Sequence, residues 1–78
     1  MNIDVRLIGR LEEYRETDDP LVLVEGASVA DALCAIGIPM DELGMVSVND
    51  ESIPKQNRST KVLSDGDRMV VMALIKGG

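Results

Sequence analysis

Ser64-Asp65-Gly66-Asp67-Arg68-Met69-Val70-Val71-Met72-Ala73 is the stretch on which the fold turns. Its first four residues are turn formers, because short acidic and hydroxyl side chains hydrogen-bond nearby backbone and glycine accepts angles closed to other residues. The six that follow predict a strand with Met69 and Val71 on one face and Val70 and Met72 on the other. At the opposite end of the chain, Ile3, Val5 and Leu7 alternate with Asn2, Asp4 and Arg6, the period of a strand with one buried face. The simplest arrangement sets these two strands side by side at the centre of a sheet. They then run parallel and need the long crossover that the intervening residues supply.

Working outward from that pair, Gly9 to Asp19 is polar and acidic apart from Leu11 and Tyr14, and Pro20 closes it, so it reads as a connection with room for a short helical turn. Leu21-Val22-Leu23-Val24 predicts a second strand, a hairpin partner of the first, ended by Glu25-Gly26. Ser28 then offers a side-chain oxygen to unpaired helix N–H groups, with Asp31 three residues on in a capping-box position. Val29, Ala32, Leu33 and Ile36 form one apolar face, and Gly37 is a left-handed stop with Pro39 just beyond, which predicts a helix of about ten residues. Asp41, Glu42 and Gly44 read as a loop, Met45 to Val48 as a third strand turning at Asn49-Asp50, and Pro54 to Thr60 as a polar loop. Lys61-Val62-Leu63 is at most a short edge strand. The expected fold is α+β: a β-grasp layout, with a mixed sheet of four to five strands and one main helix packed on one face. It fills a single domain over residues 1–78, with a flexible tail from about residue 74.

Composition narrows the function. A chain of 78 residues hides only about 60% of the surface its unfolded form exposes, and with no Phe or Trp and one Tyr the core must be aliphatic. Eight Lys plus Arg against fourteen Asp plus Glu leave a net charge of −6, which repels phosphate backbones and disfavours nucleic acid, while favouring encounter with a basic protein surface. The absence of His removes the usual acid/base group and the commonest metal ligand, and a single Cys34 makes neither an internal disulfide nor a cysteine-rich zinc site. No metal and no bound cofactor are expected. No nucleophile and base pair stands out, so the chain reads as a protein substrate or binding module rather than an enzyme. No apolar run is long enough for a signal peptide or membrane span, and a cytoplasmic setting is expected.

The last strand is followed directly by Leu74-Ile75-Lys76-Gly77-Gly78. At an average glycine usage of roughly 7%, a glycine pair falls at these two positions by chance in about 0.5% of chains, so it calls for a reason. Glycine has no Cβ, and a Gly-Gly end can thread a narrow channel and carry its carboxylate deep into a partner's site. That carboxylate, with an ordinary pKa of about 3.3–3.7, is ionised at neutral pH and a poor electrophile. An ATP-using partner that converts Gly78 to an acyl adenylate is the chemical route to activating it.

Glu25-Gly26-Ala27-Ser28-Val29-Ala30-Asp31-Ala32-Leu33, Val46-Ser47-Val48-Asn49, Leu63-Ser64-Asp65-Gly66-Asp67-Arg68-Met69 and the terminal Gly77-Gly78 together resemble the ubiquitin-like sulfur carriers of thiamine and molybdopterin biosynthesis, ThiS and MoaD. The specific part is the Asp-Gly-Asp turn with a glycine pair eleven residues after its last Asp. The resemblance implies that a ubiquitin-activating-type enzyme adenylates Gly78 with ATP. A sulfur donor enzyme then supplies the sulfur, and the resulting thiocarboxylate serves an acceptor synthase, either a molybdopterin synthase large subunit or a thiazole synthase. On this chain Gly78 is the attachment point, and Gly77 is the threading residue at the end of a tail that includes Lys76, Ile75 and Leu74. Met72-Ala73-Leu74-Ile75-Lys76 stands where many molybdopterin-type carriers have prolines and aromatics, and the Gly9 to Asp19 connection is longer than in many thiamine-type carriers, so the pathway stays open.

The other features have plainer readings. Val70 and Met72, facing away from the helix, form with Leu74 and Ile75 an apolar docking patch. Asp65 and Asp67 are turn formers rather than metal ligands, and Cys34 is a partly buried small hydrophobe. Glu12, Glu13, Glu16, Asp18 and Asp19 make a solvated acidic loop. The competing functional class is a noncovalent ubiquitin-like interaction module that binds through its sheet.

Overall fold

Strand β1 (Asn2–Ile8) lies parallel to the last strand, β5 (Arg68–Ala73), in the computed structural model, which describes residues 1–75. Their register runs from Asp4 opposite Arg68 to Ile8 opposite Met72, so the two ends of the chain occupy the middle of the sheet. On the far side of β5 lies antiparallel β3 (Leu43–Val48), and the two-residue strands β2 (Leu21–Val22) and β4 (Glu51–Ser52) edge the sheet in the order β2-β1-β5-β3-β4. Helix α1 (Val29–Ile36) supplies Val29, Ala32 and Leu33 to a core shared with Ile3, Leu7, Val46, Val48, Met69 and Val71. Ile3, Leu11, Val29, Met69, Val46 and Val71 are its most deeply buried large side chains, aliphatic throughout as the composition requires.

The caps of α1 are those its sequence announces. Ser28 Oγ accepts from the Asp31 N–H (3.1 Å) while the Asp31 carboxylate accepts from the Ser28 N–H (2.9 Å), a reciprocal pair that satisfies donors the helix cannot. Gly37 ends the helix at φ 86°, where a Cβ would crowd the next carbonyl. Asn49 and Asp50, at φ 51° and 69°, form the two-residue turn between β3 and β4, in the paired left-handed geometry that matches strand twist.

Four boundaries and the burial of one side chain differ from expectation. The helix is eight residues long rather than about ten, because the capping box starts it at Val29 and Gly37 stops it. β2 stops at Val22, because the Val24 carbonyl turns to accept the Ala27 N–H (3.2 Å) and carries the chain toward the helix. The edge strand is Glu51–Ser52 rather than Lys61 to Leu63. The Lys61 and Arg58 carbonyls instead accept the Val29 and Ala30 N–H groups (2.9 and 2.8 Å), completing the helix N-terminus, and Val62 makes only an isolated bridge to Ser28. β3 begins at Leu43 and holds Gly44, since a bulge between Leu43 and Val46 lets both side chains face the core. Cys34 is exposed rather than partly buried, on the side of α1 turned away from the core.

Candidate functional site

The tail leaves the fold where three elements meet. β1 runs into a 3-10 turn at Gly9–Tyr14, and β3 is preceded by another at Met40–Glu42; these turns stand on either side of the end of β5. Leu74, the first residue past β5, is held from both sides. Its N–H donates to the Glu42 carbonyl (2.9 Å), and its carbonyl accepts from Arg10 Nη2 (3.0 Å). The two turns are tied to each other, since the Tyr14 hydroxyl donates to Glu42 Oε2 at 2.7 Å. That bond, together with desolvation and the neighbouring carboxylates Glu42, Glu13 and Asp41, pushes the Tyr14 pKa up to about 12.

Close approach of backbone sets the other wall. A Cβ on Gly44 would sit 2.7 Å from the Ala73 carbonyl oxygen and 2.9 Å from that of Met72, distances at which backbone would have to move. Only glycine lets β3 bulge against the end of β5, and Arg58 Nη2 satisfies the Gly44 carbonyl at 3.0 Å. An open groove of about 640 Å³ runs from this point, lined in part by Met40, Leu43, Met45, Ile53 and Leu74.

The strand register places the anticipated docking residues. Val70 pairs with Arg6 and Ser47, and Met72 with Ile8, so these residues share the sheet face away from the core. Val70 is half-buried, while Met72 and Ile8 are exposed and Met45 is exposed in the bulge alongside. This face grades from Asp4 and Arg68 at one end to Ile8 and Met72 at the tail end. Leu74 is pinned but presents its side chain, and Ile75 is 88% exposed. Lys76, Gly77 and Gly78 lie outside the described residues. Arg10, Tyr14, Glu42, Gly44, Ile8 and Met45 were not anticipated in this site; for Ile8, the alternation of β1 extended by one step would have shown its face.

The Asp-Gly-Asp turn has structural work. Asp65 Oδ1 accepts the Asn2 N–H (2.6 Å), the Gly66 N–H donates to the Asn2 carbonyl (2.8 Å), and Asp67 accepts from the Ser64 N–H (2.8 Å) and Asn49 Nδ2 (2.9 Å). It thereby joins the start of β1 to the β3–β4 hairpin. Among the described residues no group of three or more His, Cys, Asp or Glu is placed to hold a metal ion, and no helix is long and apolar enough to cross a membrane.

With this geometry in hand, comparison with known proteins decides the family, for the sequence matches the ThiS family over residues 5–78. The chain belongs to the ThiS family. As a ThiS-family member it is a ubiquitin-like sulfur carrier, and the family's proteins are small carriers rather than catalysts. Its fold is similar to that of the thiamine biosynthesis protein ThiS from Geobacter metallireducens, with a TM-score of 0.70 and 20% identity over 100% of both chains. SAMP1 from Haloferax volcanii gives a TM-score of 0.73 at 19% identity, again over 100% of both chains. The solution structure of the Geobacter metallireducens thiamine biosynthesis protein gives 0.67 at 20% identity, covering 100% of this chain and 88% of that one. A search of curated proteins finds no match. The ThiS-family β-grasp is thus the mixed sheet with one main helix that the strand pattern called for.

Proposed function

We propose that this ThiS-family chain carries sulfur as a thiocarboxylate on Gly78. The observation that carries the reading is the exit of the tail: β5 leaves the centre of the sheet, Leu74 is anchored on both sides, and Ile75, the last of the described residues, is exposed ahead of Lys76-Gly77-Gly78 in the sequence. The family match extends to Gly78 itself.

The chemistry balances as follows. The Gly78 carboxylate attacks the α-phosphorus of ATP bound to an activating enzyme of the ubiquitin-activating type, forming an acyl adenylate and releasing pyrophosphate. A sulfur nucleophile, supplied by a donor enzyme in the cell or as hydrosulfide in the test tube, adds to the acyl carbon and expels AMP; with hydrosulfide the products are the thiocarboxylate, AMP and a proton. An acceptor synthase then takes the sulfur and returns the carboxylate. Thiazole synthase and the molybdopterin synthase large subunit are the two candidate acceptors, and the ThiS match favours the thiazole type. The chain binds no cofactor of its own in this scheme, and its apolar sheet face, with Val70, Met72 and Ile8, is where the partners dock.

Intact mass spectrometry tests the reading. After incubation with the activating enzyme of the same organism, ATP and sulfide, the wild-type chain gains about 16 Da, the replacement of one oxygen by sulfur. Deletion of Gly78 abolishes the gain and leaves the melting curve in place. A Gly78-deleted chain that still delivers sulfur removes Gly78 as the attachment point, and a wild-type chain that binds these partners without a mass change points instead to a noncovalent interaction module.

A further inference from the structure

The clamp on Leu74 has no obvious role in stability. Arg10 reaches 64 positions along the chain to donate to one carbonyl at an exposed site, giving up rotamer freedom that offsets most of what such a bond contributes. The bond sits on the residue just before exposed Ile75, opposite the bond that the Leu74 N–H donates to the Glu42 carbonyl, and Tyr14 ties the two jaws together. We infer that Arg10, braced by the Tyr14–Glu42 hydrogen bond, is a positioning residue that fixes the point and direction of tail exit, so that the tail meets the activating partner already aimed. The inference rests on the carrier reading above and deepens it.

The consequence is geometric. Four residues, Ile75 to Gly78, lie beyond the clamp, and fully extended they span at most about 13–14 Å. With the clamp closed, the terminal carboxylate can reach no farther than that distance from a fixed origin at Leu74, whose neighbours Ile8 and Met72 are exposed. With the clamp lost, Leu74 joins the free segment. Reach grows by about 3.5 Å, but one more residue must be ordered each time the tail threads, which weakens productive binding about fivefold or more. Preorganisation of this kind acts on assembly of the complex and leaves the chemical step alone.

The test compares wild type, Arg10→Met, Arg10→Lys and Tyr14→Phe as full chains in ATP–pyrophosphate exchange with the activating enzyme. Arg10→Met keeps the aliphatic stem and loses the donor, and is expected to raise KM about fivefold with kcat within twofold. Arg10→Lys, which retains a donor, recovers most of that loss, and Tyr14→Phe shows a smaller rise of the same kind. Amide exchange on the isolated chains gives a second readout: the Leu74 N–H, slowed in wild type by the Glu42 carbonyl, is expected to exchange faster in Arg10→Met while core amides are unchanged. Equal KM for wild type and Arg10→Met overturns the positioning role and leaves the carrier reading standing. A wild-type chain that supports no exchange at all overturns the carrier reading, and the positioning role with it.

Discussion

At the residue scale, Asp67 shows how one carboxylate can join two turns. One oxygen accepts the Ser64 N–H and the other Asn49 Nδ2, and the Asn49 side-chain oxygen in turn accepts the Arg68 N–H at 2.9 Å. Donors aimed at the ionised form hold its pKa below the ordinary 3.8, the Ser64 backbone N–H foremost and the Asn49 amide next. A carboxyl with a depressed folded pKa contributes stability that is present above its unfolded pKa and lost as pH falls through the folded one. Asp67→Asn cannot accept at both atoms and is expected to be less stable than wild type at neutral pH. In denaturant titrations from pH 7 to 2 that difference should persist down to about pH 3.8 and shrink below it. A gap that widens in acid would mean the carboxylate is not the favoured form here.

At the scale of elements, α1 is only eight residues long, too short to persist in water unless its apolar face is buried. Leu33 is in the core cluster, so Leu33→Ala opens a cavity expected to cost about 2–5 kcal/mol, a large share of the stability of a domain this size. Urea unfolding followed by circular dichroism measures it, and an unchanged midpoint would show that the helix does not pack through this residue. The helix and the two central strands were legible because their signals are local: a capping box, a glycine stop and period-two alternation within a few residues. The edge strand at Glu51–Ser52 and the bulge at Gly44 were not, since each is decided by backbone pairing with a distant segment. The site divides the same way. Val70 and Met72 follow from strand alternation, whereas Arg10 and Tyr14 sit in a polar stretch without periodicity and find their partners 64 and 28 positions away. A sequence pattern carries no trace of such contacts until the topology brings Gly9–Tyr14 and Met40–Glu42 to the two sides of β5.

At the scale of the whole molecule, the proposed function divides recognition between charge and apolar surface. A net charge of −6, with Glu12, Glu13, Glu16, Asp18 and Asp19 all exposed, would on the proposed reading steer a basic partner surface, an effect that acts on association rate and fades over a Debye length of about 8 Å at physiological salt. The row of Ile8 and Met72, with Met45 in the bulge, is exposed apolar surface, which on the proposed reading a partner desolvates once it has arrived. Met72→Glu separates the two. It adds to the charge that steers encounter, yet places a carboxylate where docking would strip its water, and because Met72 is already exposed the stability of the free chain should change by about 0.5 kcal/mol or less. On the proposed reading kcat/KM for adenylation falls at least about tenfold, through faster dissociation rather than slower association. Stopped-flow binding across a salt series, paired with a thermal melt of the free chain, distinguishes the outcomes. A loss confined to the association rate would assign recognition to the acidic loop, and an unchanged kcat/KM would remove the tail-end sheet face from the partner interface.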